Sequence, residues 1–478
     1  MRRQPWLIVL IVEAGLVVGL GYLVVSRRMP LGVPGEWEWS RVRVGPDLLP
    51  LLAGLGAIGV YAGFVAMGAR SIHRGGRPLK WLAGLIPVAM LLQATVQEAS
   101  PDGYGLAKWA IALHSPGSSG YYTVAKSQIV DLRRFLKDYP QWINEQDALH
   151  VGTHPPGLFV VAWGMLRAME SNPGLARSVT MMFPRSVNLG FRTLSELRPI
   201  PIAARAALAM TGFAIMAACS ATVVPLYLLA RSWVGPGGSW ASAALWPLIP
   251  SAILFQPTAD TAFPLLATTA LALAAWTPRR RMLAVMSGAV LGLGTQFTLA
   301  LFPVGLVVAI LHLTARDTPW QRRLISIGLT GLGFLAITLI LWAAMGANPF
   351  AIWRINATNH ARFYVEFPRS YWAWVAENPA ELAIAIGLPT TVCAACGFRS
   401  IPRATWATVA VLALLTVTGK NLSEVARLWL PMMPALLVAA GAGIDRLGPR
   451  PAGIAATVAL LGVQTLLLES AIQVVYPV

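Results

Sequence analysis

The residues of this chain that are most capable of chemistry are ionisable side chains at the ends of long apolar segments. A charge beside or within a lipid bilayer costs free energy, so such residues are candidates for a functional site. A carboxylate can accept a proton from a hydroxyl group, and a cationic side chain can neutralise a phosphate. The candidates are Glu98, Asp102, His150, His154, Asp260, Arg354, His360, Arg362, Lys420, Glu424 and Arg427.

Several of these residues also have a purely structural interpretation. Asp102 lies in Ser-Pro-Asp-Gly, a typical turn sequence, and Asp260 fits the N-cap of the helix that follows it. His154 precedes two prolines, which suit the first turn of a helix. Glu424 and Arg427 are three residues apart, as in a surface helical pair worth about 0.2–0.5 kcal/mol. Clustering of the whole group on one side of a membrane would favour the functional interpretation.

Membrane helices must position these side chains. The 478 residues are 56% hydrophobic and only 12% charged, and the mean hydropathy is +0.62. This balance excludes a soluble protein, because a water-facing surface needs more polar residues. Apolar runs long enough to cross a bilayer recur along the chain. The sequence therefore predicts an all-α, polytopic bundle of about 11–13 membrane helices with a long external loop.

The basic residues predict the orientation of the chain. Although the net charge is +17, the Arg and Lys residues form short clusters between apolar runs, so nucleic acid is not an expected partner. Short loops rich in Arg and Lys stay in the cytoplasm. This places the N-terminus inside and the candidate residues outside, in a bacterial inner or plasma membrane. The cytoplasmic clusters are expected to contact anionic lipids, at about 1 kcal/mol per charge.

The chain divides into an N-terminal membrane region, an external loop and a membrane core. We expect transmembrane helices in 1–97, a large external loop in 98–153 and a transmembrane core in 154–478. The loop contains a segment at 124–138 whose apolar residues approximate one helical face, which predicts a helix lying on the membrane surface.

The stretch between residues 155 and 203 conflicts with a simple alternation of crossings. One interpretation is that the apolar segment 155–169 enters the membrane and returns to the same side. The other is that part of 174–197 crosses as an Arg-bearing helix. The sequence leaves both open.

No metal or cofactor is predicted to be required. The three cysteines, Cys219, Cys393 and Cys396, lie in apolar stretches, so neither a disulfide framework nor a zinc site is expected. No cluster of His and carboxylate residues has the spacing of metal ligands, although the sequence leaves room for an external divalent ion.

A series of motifs resembles the GT-C superfamily of integral membrane glycosyltransferases, in the branch of protein O-mannosyltransferases and the lipid A aminoarabinose transferase. The order and spacing agree over roughly 150–310, and a late Arg/Pro motif follows. The motifs are Thr153-His154-Pro155-Pro156-Gly157, Leu226 to Arg231, Gln256 to Pro264, Gly292 to Phe297, and Arg427 to Pro431 with Pro434.

The resemblance implies an inverting transfer of a sugar from a polyprenyl-phosphate donor to an external acceptor, which is a glycan, a lipid or a protein. An acidic residue of the first large loop would act as general base. This chain departs from the family there, because Ser118-Ser119-Gly120 precedes Tyr121-Tyr122 with no carboxylate. The expected bases are therefore Asp102, then Glu98, then Asp131. The expected donor or phosphate partners are His154, Arg198 or Arg205, Asp260, Arg362, Lys420, Glu424 and Arg427.

Two other functions stay open. A transporter would show internal repeats with broken helices near the middle of the membrane, and no convincing repeat is found. A protein that binds a lipid-linked sugar without turning it over is consistent with the missing loop carboxylate.

Overall fold

Helices form almost the whole of the chain. The computed structural model describes residues 5–42, 45–101, 103–149, 151–197, 199–316 and 318–475. The N-terminal region holds α1 (Pro5–Val25), α2 (Leu48–His73) and α3 (Pro78–Gln97). The loop region holds α4 (Lys108–His114), α5 (Tyr121–Ser127), α6 (Leu132–Asn144), α7 (Gly157–Glu170), α8 (Pro173–Met182) and α9 (Arg185–Leu197).

The core contains fifteen further α-helices among the described residues. They are α10 (Ile202–Ala221), α11 (Val223–Ala230), α12 (Pro236–Leu245), α13 (Pro250–Leu254), α14 (Phe263–Trp276), α15 (Met282–Gly294), α16 (Leu301–Leu313), α17 (Trp320–Met345), α18 (Pro349–Glu366), α19 (Tyr371–Ile386), α20 (Leu388–Cys396), α21 (Arg403–Val417), α22 (Val425–Leu428), α23 (Met433–Leu447) and α24 (Pro451–Ala471). Short 3-10 turns lie at Trp246–Leu248, Ala259–Thr261, Phe398–Ser400 and Leu430–Met432.

Two small antiparallel strand pairs flank the N-terminal helices. Strands β1 (Gly32–Val33) and β2 (Trp37–Glu38) form a hairpin after α1. Strand β3 (Ser40–Arg41) pairs with β4 (Ile472–Gln473), so the end of the chain is tied to its beginning.

The protein is a multi-pass membrane protein, as its composition predicts. Among the described residues, eight segments are long and apolar enough to cross a bilayer. They are Pro5–Val25, Leu48–His73, Pro78–Gln97, Ile202–Ala230, Ala259–Trp276, Trp320–Met345, Leu430–Leu447 and Pro451–Ala471. Helices α15, α16 and α21 are shorter apolar helices.

A further apolar span is broken between α19 and α20, which meet at an angle of 98°. Gly387 lies at the break with a φ of +89°, a conformation that side chains with a Cβ rarely adopt. A Cβ there would lie 2.1 Å from Leu461 Cδ1. The Gln464 side chain accepts a hydrogen bond from Leu388 N at 2.8 Å, which satisfies a free donor at the start of α20.

The stretch between residues 155 and 203 forms three separate helices, α7, α8 and α9, and none of them is long enough to be a candidate span. Helix α7 has 14 residues and therefore extends about 21 Å, less than the ~30 Å of a bilayer core. Helices α8 and α9 have 10 and 13 residues. Within the described part, no candidate span lies between α3 and α10. We call the end of the bundle that carries helices α4 to α9 the loop side.

The surface helix expected at 124–138 is two helices instead of one. Helix α5 ends at Ser127, and α6 starts after Asp131, whose side chain accepts a hydrogen bond from Arg134 N at 2.9 Å. This is an N-cap, which favours a new helix start over a continuous helix. The expected apolar face is confirmed in part, because Val124, Ile129 and Leu136 are buried.

Candidate functional site

A cavity of about 270 Å³ opens on the loop side, between the loop helices and the core. Its wall is mainly apolar and comes chiefly from α4 and α5 with their connection, from α7 and α10, and from the turn at 257–260 with the start of α14. The α10 wall is built largely from small residues, which leaves space beside the helix. The apolar residues that line the cavity include Leu113, Leu158, Val161, Ala162, Met165, Ala207, Leu208, Ala214, Ile215 and Ala218.

Arg427 forms the charged end of this cavity. Its Nη2 atom lies 2.6 Å from Glu424 Oε2, and its Nη1 atom lies 3.9 Å from Asp260 Oδ2. The second distance is too long for a direct hydrogen bond. The Arg427 Nε atom is buried and has no hydrogen-bond partner among the described residues. Arg427 therefore retains donor capacity toward a ligand.

The charge on Arg427 is secured by its surroundings. Burial lowers its pKa, but the negative charges of Glu424 and Asp260 outweigh this, so the pKa is raised above its usual value. The side chains of Arg427, Asp260 and Glu424 are 21%, 20% and 19% exposed. A permanent cation thus lies at a partly water-accessible position, where an anionic ligand can reach it.

The segment before Arg427 has an unusual backbone. Ser423 and Glu424 have φ values of +76° and +55°, although neither is glycine. Such conformations persist only where surrounding contacts fix them, and they concentrate at functional sites. One contact is a hydrogen bond of 3.1 Å from Arg369 Nε to Ser423 Oγ. Another is the bond of 3.0 Å from Ala426 N to the buried carboxylate of Glu381.

Asp260 is positioned by a turn whose first residue is anchored in the core. The buried side chain of Gln256 donates to Gln93 Oε1 at 2.9 Å and accepts from Gln97 Nε2 at 2.9 Å. Trp109 Nε1 donates to Gln97 Oε1 at 2.9 Å, which extends the network to α4. The sequence analysis missed this network; the two glutamines four residues apart inside an apolar span were its available signal.

His154 lies where the loop helices meet the core. Its backbone oxygen accepts hydrogen bonds from Tyr139 Oη at 2.8 Å and Asn356 Nδ2 at 3.2 Å. Three residues later, a Cβ on Gly157 would lie 2.5 Å from Gln296 O, so the start of α7 can approach the core only with glycine. The motifs at 153–157 and 292–297 are thereby in direct contact.

Tyr121 lines the cavity beside His154 and was not a predicted site residue. The two rings are 5.6 Å apart in an edge-to-face arrangement. Burial and the charge of Asp260 raise the pKa of Tyr121, and Arg427 partly opposes this. Tyr121 is therefore a neutral hydroxyl group close to both charged residues. It directly follows Ser118-Ser119-Gly120, the segment in which the sequence analysis found no carboxylate.

Four of the predicted residues are brought together. His154, Asp260 and Arg427 line the cavity, and Glu424 is paired with Arg427. Asp102, Arg198 and His150 lie outside the described residues.

The other predicted residues do not line this cavity. Glu98 accepts a hydrogen bond from Ser186 Oγ, and burial raises its pKa. Asp131 is the exposed N-cap of α6. Neither carboxylate therefore lines the cavity that ends at Arg427.

Three predicted cationic partners are also engaged elsewhere. Arg205 lines a separate cleft beside α9. Arg362 pairs with Glu366 at 2.8 Å and donates to Gln146 O at 3.0 Å. Lys420 is exposed and lies near His360, whose pKa is lowered by burial and then by the charge of Lys420.

No group of three or more His, Cys, Asp or Glu residues suited to hold a metal ion occurs within the described ranges. The cavity lining likewise offers a single carboxylate, that of Asp260, among the residues that the structure describes. Arg427 is the one arginine or lysine of the lining within the same described residues.

The fold and the cavity define a multi-pass membrane protein with a partly charged, mainly apolar site on its loop side. No protein-family model matches the chain, and no curated protein or solved structure is significantly similar to it.

Proposed function

We propose that this protein is a membrane glycosyltransferase that transfers a sugar from a polyprenyl-phosphate donor to an acceptor on the external face of the membrane. The supporting observation is convergence. His154, the turn at 257–263, Phe297 and Arg427 belong to four motifs that are far apart in sequence, yet all line one cavity with Tyr121. These are four of the five motifs that carry the resemblance to the GT-C superfamily; the fifth, Leu226 to Arg231, does not line the cavity.

The cavity has the polarity that such a donor requires. The apolar wall between α7 and α10 suits the first isoprene units of a polyprenyl chain, because their burial removes apolar surface from water. The donor phosphate is then placed at the charged end, where the guanidinium of Arg427 can donate to two of its oxygens. The sugar extends toward the loop helices.

The reaction forms one bond and breaks one bond. The acceptor hydroxyl oxygen attacks the anomeric carbon, and the bond from that carbon to the phosphate oxygen breaks with its electron pair. The phosphate changes from a singly charged diester to a more negative monoester as the bond breaks. Arg427 is held in place by Glu424 at 2.6 Å. Because the negative charge on the phosphate increases as the bond breaks, Arg427 stabilises the transition state more than the ground state.

Asp260 accepts the proton of the acceptor hydroxyl in this mechanism. It is the carboxylate of the described residues that lines the cavity, and a carboxylate within reach of the attacking hydroxyl is what general base catalysis needs. A phosphate bound to Arg427 partly neutralises the positive charge that the guanidinium group presents to Asp260. Asp102 lies outside the described residues and stays the competing prediction for this role.

The first experiment measures donor binding and sugar transfer by purified protein in lipid nanodiscs, with a panel of radiolabelled polyprenyl-phosphate sugars. We expect Asp260→Asn to retain donor binding and to lower turnover by about 10²- to 10⁴-fold, because it removes the base without changing the shape of the site. The control is Asp138→Asn, an exposed carboxylate paired with Arg134 at 3.8 Å.

Asp102→Asn is measured in parallel to decide between the two bases. Loss of turnover in Asp102→Asn with normal activity in Asp260→Asn would transfer the base role to Asp102 and leave the glycosyltransferase proposal intact. Donor binding without transfer or hydrolysis under any condition would point to a non-catalytic binding protein. If no donor in the panel binds, the proposal is wrong and a transporter becomes the leading alternative.

A further inference from the structure

A second cleft lies on the loop side, away from the proposed catalytic cavity. It has a volume of about 670 Å³ and is lined by residues of α8, α9 and the first turn of α10. Three of its lining residues are Arg185, Arg192 and Arg205, and none of its described lining residues is acidic. The two cavities share no described lining residue.

The arginines of the cleft are close enough in the fold to bind one ligand together. Arg185 and Arg192 are seven residues apart, so they lie on one face of α9, two turns from each other. Both are exposed, and neither has an ion pair or a side-chain hydrogen bond within the described residues. Arg205 reaches the cleft from α10 and is fixed by bonds from Nε to Ile200 O at 3.0 Å and from Nη2 to Ser195 Oγ at 3.1 Å.

The surroundings place this cleft at the membrane boundary. Arg205 is in the first turn of the span Ile202–Ala230. The apolar side chains of Met181, Met182 and Leu189 are 80%, 84% and 57% exposed on α8 and α9. Short amphipathic helices with large exposed apolar residues lie in the plane of the membrane surface, at the depth of the lipid headgroups.

We propose that this cleft binds the phosphate headgroup of an anionic lipid. The planar guanidinium groups match phosphate oxygens with paired hydrogen bonds, and the exposed methionines and leucine face the acyl chains of the same lipid. Ser186 and Asn188 also line the cleft, but their side chains donate to Glu98 and to Thr180 O and Phe183 O, so the arginines are its available donors. This site is independent of the proposed function, because it shares no lining residue with the catalytic cavity and requires no sugar.

The test is native mass spectrometry of the detergent-purified full chain, titrated separately with phosphatidic acid and with neutral phosphatidylcholine. We expect phosphatidic acid to bind at least about tenfold more tightly than phosphatidylcholine, and the double variant Arg185→Gln/Arg192→Gln to lose this preference. Arg177→Gln is the control, since Arg177 is an exposed arginine of the neighbouring α8 that does not line the cleft. It should retain the preference.

Equal binding of the two lipids by the unmodified chain would overturn the proposal, as would a double variant that keeps its preference for phosphatidic acid. A parallel thermal-unfolding series with inorganic phosphate distinguishes a lipid from a free anion. We expect no stabilisation by millimolar phosphate in excess of that by chloride. Phosphate stabilisation that depends on Arg185 and Arg192, without preferential lipid binding, would contradict the lipid assignment.

Discussion

The proposed catalytic cavity and the arginine cleft are on the same side of the bundle, but the surroundings of their arginines differ. Arg427 is 21% exposed and lies between two carboxylates. Arg185 and Arg192 are exposed and have no ion pair among the described residues. A fixed cation can stabilise charge that develops at one position, whereas mobile, unpaired cations attract a charged group without orienting it. The arrangement around an arginine therefore distinguishes these sites better than the number of arginines.

The largest expected difference between the two sites is in turnover. Arg427→Gln should lower the rate of sugar transfer by about 10²- to 10³-fold, since it removes a donor that acts on the leaving phosphate. Arg185→Gln/Arg192→Gln should change this rate by less than about twofold, because these exposed residues do not contact the cavity. Transfer rates in nanodiscs at saturating donor measure both. A comparable loss in the cleft variant would show that the two sites act as one.

The second expected difference is in stability. Arg427→Gln leaves Glu424 and Asp260 without their shared cation, and we expect a loss of about 2–3 kcal/mol, reduced from the value for a fully buried pair by partial exposure. Arg427→Gln/Glu424→Gln should recover most of this stability and none of the turnover. Chemical unfolding in detergent provides the measurement. If the double variant also recovers transfer, Arg427 has only a structural role.

A smaller effect is expected from the network behind Asp260. Gln256→Leu removes one hydrogen bond each from the buried Gln93 Oε1 and Gln97 Nε2 atoms and leaves them only the longer bonds to Ser220 Oγ at 3.3 Å and Gln93 O at 3.2 Å, which should cost about 1–3 kcal/mol. Because the turn that holds Asp260 loses its anchor, turnover should fall by about tenfold while donor binding changes little. Gln128→Leu is the control, since Gln128 is an exposed glutamine whose side chain accepts a hydrogen bond from Trp142 Nε1 at 2.8 Å and does not contact the network. Unchanged turnover in Gln256→Leu would argue against Asp260 as the base.

The sequence predicted the parts of the candidate site that lie in compact motifs. His154, Asp260, Glu424 and Arg427 each stand at the end of an apolar run, where local pattern is informative, and they meet in the structure. Tyr121 was missed because its importance depends on residues more than a hundred positions away. The proximity of distant motifs is a property of helix packing, which a single sequence does not display.

The membrane topology was predictable for the long helices but not for the segment from 155 to 203. Helices α8 and α9 are amphipathic and carry arginines, so a hydropathy pattern cannot distinguish a poor crossing from a surface helix. In the structure they have 10 and 13 residues, and neither is a candidate span. For Asp131 the sequence also allows two interpretations, because an acidic side chain near aromatic residues can be a base or a helix cap. Its contact with Arg134 N identifies the cap.

The smallest expected difference is in the response to salt. Exposed charges are screened strongly as ionic strength rises, since the Debye length falls from about 10 Å at 0.1 M to about 3 Å at 1 M, whereas partly buried charges are screened less. Binding of phosphatidic acid to the cleft should therefore weaken by about three- to tenfold over this range, and donor binding beside Arg427 by less than about twofold. Titrations of both ligands in nanodiscs at the two salt concentrations measure this. Equal salt dependence would mean that Arg427 is as accessible to solvent ions as Arg185 and Arg192, and the distinction between a preorganised site and an attracting surface would then have to be abandoned.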